Sequence, residues 1–473
     1  MSLPRILIAG MRGGSGKTLL SVGLTAALRA RGLRVASFKK GPDYIDAAWL
    51  SAAAGRACRN LDLFFMSPET IVRSFVASCE GADVAVVEGN RGLYDGVDAR
   101  GTYSTAELAK LLAAPVALAV DCTKSSRTVA ATVLGCQRLD EEVPLRGVIL
   151  NRMASPRHQS VLREAVDQIC GLPVLGAVVR TGQVFPERHL GLVPPEEHGQ
   201  VSDAIRQAAA VAEEHLDIDA ILRLARQAPT IESEKGDKSN LPRSGPEGAS
   251  HEWDLSPFSG QPRIGVFRDA AFQFYYPENL QALAREGGRV IEVSPLRDAQ
   301  PPEVDALYIG GGFPETAAAA LTRNQPFLDW LRRSIEEGLP VYAECGGAVF
   351  LGEKLVMDGR QYPMVGALPV AFHFHPRPQG HGYAILEAVR DTPFCRVGES
   401  IRGHEFHYTG IEPGAAEGLD FAFRVRRGHG FDGQWDGLCH RNVLACYTHV
   451  HALGVPHWAP SVVRAAARFR AGA

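Results

Sequence analysis

Short apolar runs alternate with longer helical stretches from residue 4 to about residue 226. The runs at 84–87, 116–120 and 147–150 are β-branched or aliphatic, and Ala/Leu-rich stretches separate them. Continuous apolar runs of this length are typical of strands that are buried on both faces. The pattern predicts an α/β fold in which βαβ units build a parallel sheet with helices on both faces.

The alternation stops between residues 228 and 262. This segment is rich in Ser, Gly, Pro, Glu and Lys and lacks apolar periodicity, which predicts a linker. A second α/β pattern starts at residue 263. We therefore expect a first domain at 1–227, a linker at 228–262 and a second domain at 263–473, and a chain of 473 residues is long enough for two cores.

The composition narrows the kinds of partner. The net charge of 50 minus 53, or −3, provides no basic field for nucleic acid or anionic lipid. No stretch reaches the roughly 18 apolar residues of a membrane span. The nine cysteines are an odd number scattered along the chain, which argues against a disulfide framework. None of them show CxxC spacing, which argues against a structural zinc site. We expect a cytoplasmic protein with small-molecule partners, and a homodimer stays an open alternative.

A glycine-rich loop follows the first apolar run. Residues 10–18 read Gly-Met-Arg-Gly-Gly-Ser-Gly-Lys-Thr, and a helical stretch follows. Glycines let backbone N–H groups surround phosphate oxygens, Lys17 neutralises the phosphates, and Thr18 can ligate Mg²⁺. Five residues separate Gly10 from Gly16, so the loop is longer than the common P-loop. The predicted ATP contacts are Gly13, Gly14, Ser15, Gly16, Lys17 and Thr18.

Two carboxylates follow strand-like runs. Glu88 ends the run at 84–88, and Asp43 follows the run at 35–38. Ligands of open parallel sheets bind outside the carboxyl ends of the strands. Either carboxylate alone would be interpreted as a loop cap, but two of them near a phosphate loop predict, with Thr18, a site for Mg²⁺.

A cysteine in the second half stands between a strand-like run and a helical run. Cys345 follows residues 340–344, and such a turn exposes a nucleophile near a helix N-terminus. The glycines at 310–312 offer backbone donors for an oxyanion, and His449 or His451 offers a base. The predicted oxyanion donors are Gly311, Gly312 and Gly346. Histidines at 373, 375, 404 and 407 are interpreted as polar substrate contacts, with a metal site as the alternative.

The two halves together predict an amide-forming ligase. A thiol site that attacks glutamine releases ammonia, and a nucleotide site activates a carboxylate as an acyl phosphate that ammonia then attacks. The chain resembles the cobyrinic acid a,c-diamide synthase family over nearly its whole length. The motifs that carry this resemblance are residues 10–18, 41–46, 88–96, 187–192, 274–280, 310–315, 345–348 and 403–407.

The resemblance also implies a fold and a role for particular residues. The first half is similar to dethiobiotin-synthetase-type ATPases, and the second to flavodoxin-like class I glutamine amidotransferase domains. Residues matching Thr18, Asp43 and Glu88 serve Mg-ATP in the family. The resemblance further implies that Tyr44, Asp46 and Asp95 face a tetrapyrrole carboxylate, and that Asn151 and Arg152 contact adenine.

The resemblance departs from the usual pattern at one position. Class I amidotransferases of the triad type carry a glutamate two residues after the histidine, where this chain has His451. The cobalamin-pathway subtype shares that lack. The Tyr-x-His register at Tyr447 favours His449 as the base.

Two questions stay open at the level of sequence. The acceptor is cobyrinate, hydrogenobyrinate or nickel-sirohydrochlorin, and cobyrinate is favoured as the commonest assignment in the family. A P-loop switch protein with an amidotransferase-like domain that only binds is the alternative from another class, because Arg12 stands near the position of the signature lysine in such switches.

Overall fold

The computed structural model describes residues 3–180, 184–185, 187–188, 191–197, 199–231 and 260–472. The chain forms two compact units, Met1–Asp237 and Lys238–Ala473. Residues 232–259 of the predicted linker lie outside the described residues, as do His189 and Leu190 of the motif at 187–192. The bounds of the two domains and of the linker stay a prediction.

The described part of the first unit is built on a seven-stranded sheet in the order β3-β2-β4-β1-β5-β6-β7. Every neighbouring pair in it is parallel, which confirms the predicted parallel sheet. Its strands are β1 (Arg5–Gly10), β2 (Val35–Lys40), β3 (Arg59–Leu61), β4 (Val84–Glu88), β5 (Val116–Asp121), β6 (Leu145–Met153) and β7 (Val174–Val179). A short ribbon of β8 (Glu187–Arg188) and β9 (Gly191–Leu192) follows.

The strands β1, β2 and β4 are buried at every position. This burial on both faces is what helices on each side of the sheet produce. Helices α1 and α7 pack closely, because a side chain at Gly23 would overlap the Ala208 carbonyl oxygen. The helices are α1 (Lys17–Ala30), α2 (Ile45–Ala54), α3 (Pro68–Ser78), α4 (Thr105–Leu111), α5 (Thr128–Leu139), α6 (Pro156–Cys170), α7 (Val201–His215) and α8 (Ile218–Arg226), with a 3₁₀ turn at Pro195–Glu197.

The described part of the second unit contains a ten-stranded mixed sheet in the order β11-β10-β12-β13-β22-β21-β20-β17-β18-β23. Its strands are β10 (Arg263–Phe267), β11 (Arg289–Val293), β12 (Ala306–Ile309), β13 (Val341–Glu344), β17 (Gly380–Ala388), β18 (Ser400–His407), β20 (Phe421–Arg427), β21 (Trp435–His440), β22 (Val443–Cys446) and β23 (His449–Val450). The first five strands of the order are parallel. They follow the 2-1-3-4-5 order of flavodoxin-like sheets, as predicted.

The remaining strands of that sheet are antiparallel and were not predicted. Because β23 follows β22 after two residues yet pairs with β18 at the far end of the order, this half curls back on itself. A separate four-stranded sheet contains β14 (Lys354–Met357), β15 (Arg360–Pro363), β16 (Ala371–Phe374) and β19 (Thr409–Ile411).

Helices of the second unit complete an α/β domain. They are α9 (Pro277–Arg285), α10 (Ala318–Arg323), α11 (Gln325–Glu336), α12 (Gly346–Leu351) and α13 (Trp458–Arg470), with a 3₁₀ turn at Pro314–Ala317. Within the described ranges of both units, no helix is long and apolar enough to cross a membrane.

Candidate active sites

The glycine-rich loop joins the carboxyl end of β1 to α1. Gly14 and Gly16 have φ angles of 72° and 86°, in the left-handed region that glycine adopts without strain. A side chain at Gly16 would also overlap the Asn151 amide nitrogen, which donates to the Ser15 carbonyl at 2.9 Å. The loop therefore needs glycine at residue 16, and Asn151 on β6 holds its backbone in place.

Lys17 is the first residue of α1. Its Nζ donates to the carbonyl oxygens of Arg12, at 3.2 Å, and Arg91, at 2.8 Å. Burial lowers the pKa of Lys17, and the nearby Lys39 lowers it further. Phosphate oxygens are stronger partners for an ammonium than neutral carbonyls, so a bound nucleotide would replace these contacts.

A cluster of Lys39, Asp43, Asp46 and Glu88 lies beside Thr18, and we call it the lysine–carboxylate cluster. Lys39 and Glu88 face each other in register on β2 and β4. Lys39 Nζ lies 2.8 Å from Glu88 Oε1, 2.6 Å from Asp46 Oδ2 and 4.0 Å from Asp43 Oδ2. The Thr18 hydroxyl donates to Glu88 Oε1 at 2.9 Å. The fold thus brings both predicted metal carboxylates to the phosphate loop.

Burial and charge set the protonation of this cluster. Burial raises the pKa of Glu88 to about 7 and that of Asp43 to about 6. Burial acts on Asp46 in the same direction, but Lys39 outweighs it and lowers the pKa. Burial also opposes the charge of Lys39, yet the three carboxylates raise its pKa. Lys39 is therefore a fixed positive charge that holds the carboxylates together.

The cluster fits a magnesium ion. Glu88 is fully buried, and its Oε2 has no hydrogen-bond partner among the described residues. Magnesium in nucleotide sites takes one or two carboxylates together with phosphate and water oxygens. Thr18 and Glu88 match that need. In the described ranges, no group of three or more His, Cys, Asp or Glu residues could form an all-protein metal cage.

Two further predicted residues, Tyr44 and Asp95, lie in the loops after β2 and β4. Tyr44 is half-buried and precedes the first turn of α2. Asp95 Oδ2 accepts from the Gly92 N–H at 2.7 Å, and Asp43 Oδ1 accepts from the Asp46 N–H at 2.9 Å. Asp95 and Asp43 thus also fix the conformation of their loops.

The predicted adenine contacts, Asn151 and Arg152, lie on β6 next to Asp121 of β5. Asp121 Oδ2 pairs with Arg152 Nη1 at 2.9 Å and with Arg12 Nη2 at 3.3 Å. Burial favours the neutral acid, but hydrogen bonds from Thr123, Arg152 and Arg12 outweigh it and lower the pKa of Asp121 to about 2. Asp121 is therefore ionised and forms ion pairs with both arginines.

In the second unit, Cys345 stands directly after β13 and caps α12. Its φ and ψ angles are 49° and −105°, a combination that costs L-residues about 1–3 kcal/mol. Its N–H donates to the Cys446 carbonyl at 2.7 Å, and its Sγ lies 3.8 Å from the Phe406 carbonyl oxygen. Burial raises the pKa of the Cys345 thiol far above its usual range. The thiol therefore needs a base to become a nucleophile.

The glycine loop, residues 310–312, lies against both the cysteine turn and an imidazole. A Cβ at Gly311 would lie 2.5 Å from His449 Cε1 and 3.2 Å from His449 Nε2. A Cβ at Gly346 would lie 3.2 Å from Gly312 N, and the Gly346 N–H bonds to the Cys345 thiol and lowers its pKa against the effect of burial. The structure thus brings the predicted oxyanion donors together with the predicted nucleophile and base.

The two candidate bases differ in what their ring nitrogens contact. His449 Nδ1 lies 3.3 Å from Glu344 Oε2, and its Nε2 edge faces the glycine loop. His451 is fully buried, its Nδ1 accepts from the Leu453 N–H at 3.2 Å, and its Nε2 lies 3.7 Å from Glu278 Oε2. Of the two, His449 presents a nitrogen towards the glycine loop, which itself lies against the cysteine turn.

Two of the remaining predicted histidines pack around this site. The His404 ring stacks on His449 with centroids 4.9 Å apart, and burial lowers the pKa of His404 well below its usual range. His407 Nδ1 lies 2.7 Å from the Thr409 carbonyl oxygen, and its ring stacks on Tyr447 at 3.7 Å. His407 therefore packs in the interior of the domain, between Thr409 and Tyr447.

Three charged residues of these sites were missed by the sequence analysis: Lys39, Asp121 and Glu344. Asp121 and Glu344 are the last residues of β5 and β13, and Lys39 is the last but one residue of β2. The sequence signal is the one that identified Glu88, a charge at the carboxyl end of an apolar run, where ligands of such sheets bind.

The geometry defines a class of protein: a P-loop nucleotide-binding domain and a class I-type glutamine amidotransferase domain in one chain. Residues 6–192 match the CobQ/CobB/MinD/ParA nucleotide binding domain family, and residues 263–456 match the CobB/CobQ-like glutamine amidotransferase domain family. Both matches agree with the fold of the corresponding unit.

Curated relatives identify the family more closely. A cobyrinate a,c-diamide synthase of Magnetococcus marinus is 45% identical over 98% of this chain and 97% of its own length. Proteins of the same name from Archaeoglobus fulgidus, 41% identical over 96% of this chain and 95% of theirs, and Dehalococcoides mccartyi, 39% identical over 98% of both, are also similar. The chain belongs to the cobyrinate a,c-diamide synthase family.

Proposed function

We propose that this chain uses ATP and glutamine to convert the a and c side-chain carboxylates of cobyrinate into carboxamides, a reaction of cobalamin biosynthesis. The observation that carries the proposal is the pairing of two sites in one chain. One is a phosphate loop with its lysine–carboxylate cluster, and the other is a strained cysteine turn next to a glycine loop that His449 also contacts. Relatives named for this reaction align along nearly the whole chain.

The second unit is the proposed source of ammonia. The proton of the Cys345 thiol passes to His449, and the sulfur attacks the carboxamide carbon of glutamine while Gly311, Gly312 and Gly346 donate to the developing oxyanion. The C–N bond breaks, and the nitrogen leaves as ammonia after taking the proton from His449. Water then cleaves the thioester, which releases glutamate and restores the thiol.

The first unit is the proposed site of carboxylate activation. Gly13, Gly14, Ser15 and Gly16 surround the phosphates, and Lys17 bonds to the β- and γ-phosphate oxygens. A magnesium ion held by Thr18, Glu88 and Asp43 would neutralise charge on the transferred phosphoryl group.

Different residues of the first unit are the proposed contacts of the acceptor and of the adenine base of ATP. The acceptor carboxylate, positioned by Tyr44, Asp46 and Asp95, attacks the γ-phosphorus, ADP leaves, and ammonia displaces phosphate from the acyl phosphate. Asn151 and Arg152 are the proposed adenine contacts. One amide N–H of Asn151 donates to the Ser15 carbonyl, and its amide oxygen accepts from the Arg152 N–H at 2.9 Å. Its second amide N–H is the proposed donor to the edge of the adenine.

The reaction is proposed to take place in the cytoplasm. All nine cysteines are free in the structure, and free thiols persist in a reducing compartment.

The division of labour is tested by Cys345→Ser with glutamine or ammonium as nitrogen donor. The variant should form no diamide from glutamine yet match the wild type with ammonium, because the ATP site is untouched. Equal loss with both donors would contradict the proposal. The acceptor is tested by supplying cobyrinate, hydrogenobyrinate and nickel-sirohydrochlorin in parallel, and acceptor-dependent phosphate release should be fastest with cobyrinate.

A further inference from the structure

The amidotransferase site holds a carboxylate that its sequence pattern does not provide. Triad-type enzymes place a glutamate two residues after the histidine, and this chain has His451 there. In the structure, Glu344 fills the space beside His449, although it directly precedes Cys345 in sequence. Its Oε2 lies 3.3 Å from His449 Nδ1.

Two further hydrogen bonds, from Val450 and Tyr308, hold Glu344 in place. It is fully buried at the end of β13. Its Oε1 accepts from the Val450 N–H at 3.1 Å, and its Oε2 accepts from the Tyr308 hydroxyl at 3.1 Å. Asn279 Nδ2 in turn donates to the Tyr308 oxygen at 3.1 Å, so the tyrosine proton is directed to Glu344. This hydrogen-bond chain fixes the carboxylate relative to the histidine.

We propose that Glu344 is the positioning residue of the glutaminase site and completes a triad in which the acid precedes the nucleophile in the chain. This inference deepens the proposed function and rests on it. By accepting from Nδ1–H, Glu344 selects the His449 tautomer whose Nε2 lone pair faces the glycine loop beside the cysteine turn. It also stabilises the imidazolium that forms when Nε2 takes the thiol proton, while Glu344 itself exchanges no proton.

Another buried glutamate provides a matched comparison. Glu278 lies 3.7 Å from His451 Nε2, so it too is a carboxylate beside a histidine of the same segment. His451 Nδ1, however, accepts from the Leu453 N–H, and the pair has no part in the proposed proton transfer. If both glutamates were only structural, replacing either one would affect glutamine hydrolysis to the same extent. If Glu344 completes a triad, only its replacement slows glutamine hydrolysis.

The test compares Glu344→Gln with Glu278→Gln in the full-length chain. Loss of the acid of a serine-protease triad lowers kcat by about 10⁴-fold, and we expect at least a 10²-fold loss of kcat for glutamine hydrolysis in Glu344→Gln. Because Glu344 acts through His449 and not on glutamine, KM for glutamine should stay within about threefold. Ammonium-dependent diamide formation should be unchanged, and Glu278→Gln should hydrolyse glutamine at close to the wild-type rate.

Conservative variants separate positioning from folding. Glu344→Asp should recover part of the lost kcat, and Tyr308→Phe, which removes one hydrogen bond to the carboxylate, should lower kcat severalfold. If Glu344→Gln does not fold, the kcat values of Glu344→Asp and Tyr308→Phe decide whether Glu344 positions His449. Wild-type kcat in both of them, or in Glu344→Gln, would overturn the inference, as would an equal loss in Glu278→Gln. A wild-type chain that hydrolyses no glutamine would instead refute the proposed function.

Discussion

Gly311→Ala tests the contact between the glycine loop and the histidine. The new Cβ would lie 2.5 Å from His449 Cε1, against about 3.5–4.0 Å for carbon atoms in normal contact. The imidazole must therefore move by about 1 Å. A displacement of that size in a catalytic group costs on the order of 10²-fold in rate, or about 2.7 kcal/mol of transition-state stabilisation.

The assay is glutamine-dependent against ammonium-dependent diamide formation by the same preparation. We expect kcat for glutamine hydrolysis to fall about 100-fold in Gly311→Ala, with ammonium-dependent activity unchanged because the ATP site lies in the other unit. Gly410→Ala is the matched control, since its Cβ would meet nothing nearer than 3.7 Å. Both activities of the control should equal those of the wild type.

Wild-type glutamine hydrolysis by Gly311→Ala would refute the reasoning, because it would show that the position of His449 against the loop has no bearing on the reaction. Equal loss of both activities, with the control unaffected, would show that the two sites do not act separately.

Three further predictions concern the first unit. Gly16→Ala should raise KM for ATP at least tenfold in a nucleotide titration, because its Cβ would overlap Asn151 at a φ of 86°. Asp121→Asn should make the free energy of unfolding less dependent on pH between about 4 and 2. Because the pKa of Asp121 is lowered to about 2, its ionised carboxylate stabilises the fold above about pH 4, and this stabilisation is lost as the pH falls towards 2. The contribution is on the order of 1 kcal/mol after solvent screening of its arginines, and urea unfolding measures it. Glu88→Gln should raise the Mg²⁺ concentration for half-maximal ATP turnover at least tenfold without changing glutamine hydrolysis, and an unchanged Mg²⁺ requirement would exclude Glu88 as a ligand.

The parallel sheets and both loops were predictable because local patterns determine them. Continuous apolar runs and glycines at fixed spacing report buried strands and a phosphate loop without any tertiary information. Glu88 ends β4 and Cys345 directly follows β13, while Thr18 follows the glycine-rich loop after β1, at the start of α1.

The strand ends mark the positions of the other charged residues, but the residues with which they pair could not be predicted, because these contacts join distant segments. Lys39 is a buried lysine whose charge is tolerated only where the fold brings Asp46 and Glu88 within 2.8 Å. Glu344 and His449 are more than one hundred residues apart in sequence. The parallel pairing of β13 with β22 places Glu344 opposite Cys446, three residues before His449, and so brings the two side chains together.

The choice between His449 and His451 also depended on the fold. Both follow one apolar strand and have the same side chain, and in the sequence only the Tyr-x-His register favours His449. Their ring nitrogens differ only in the groups that the folded chain places around them, Glu344 for one and Leu453 for the other.

The most direct test of the whole account follows the nitrogen atom. The wild-type chain is supplied with Mg-ATP, cobyrinate and glutamine whose amide carries heavy nitrogen, in the presence of unlabelled ammonium below its own KM, and the product is examined by mass spectrometry. The account predicts a diamide with heavy nitrogen in both new amides, formed only when ATP is hydrolysed. A product without label, or ATP turnover that is indifferent to cobyrinate, would contradict it.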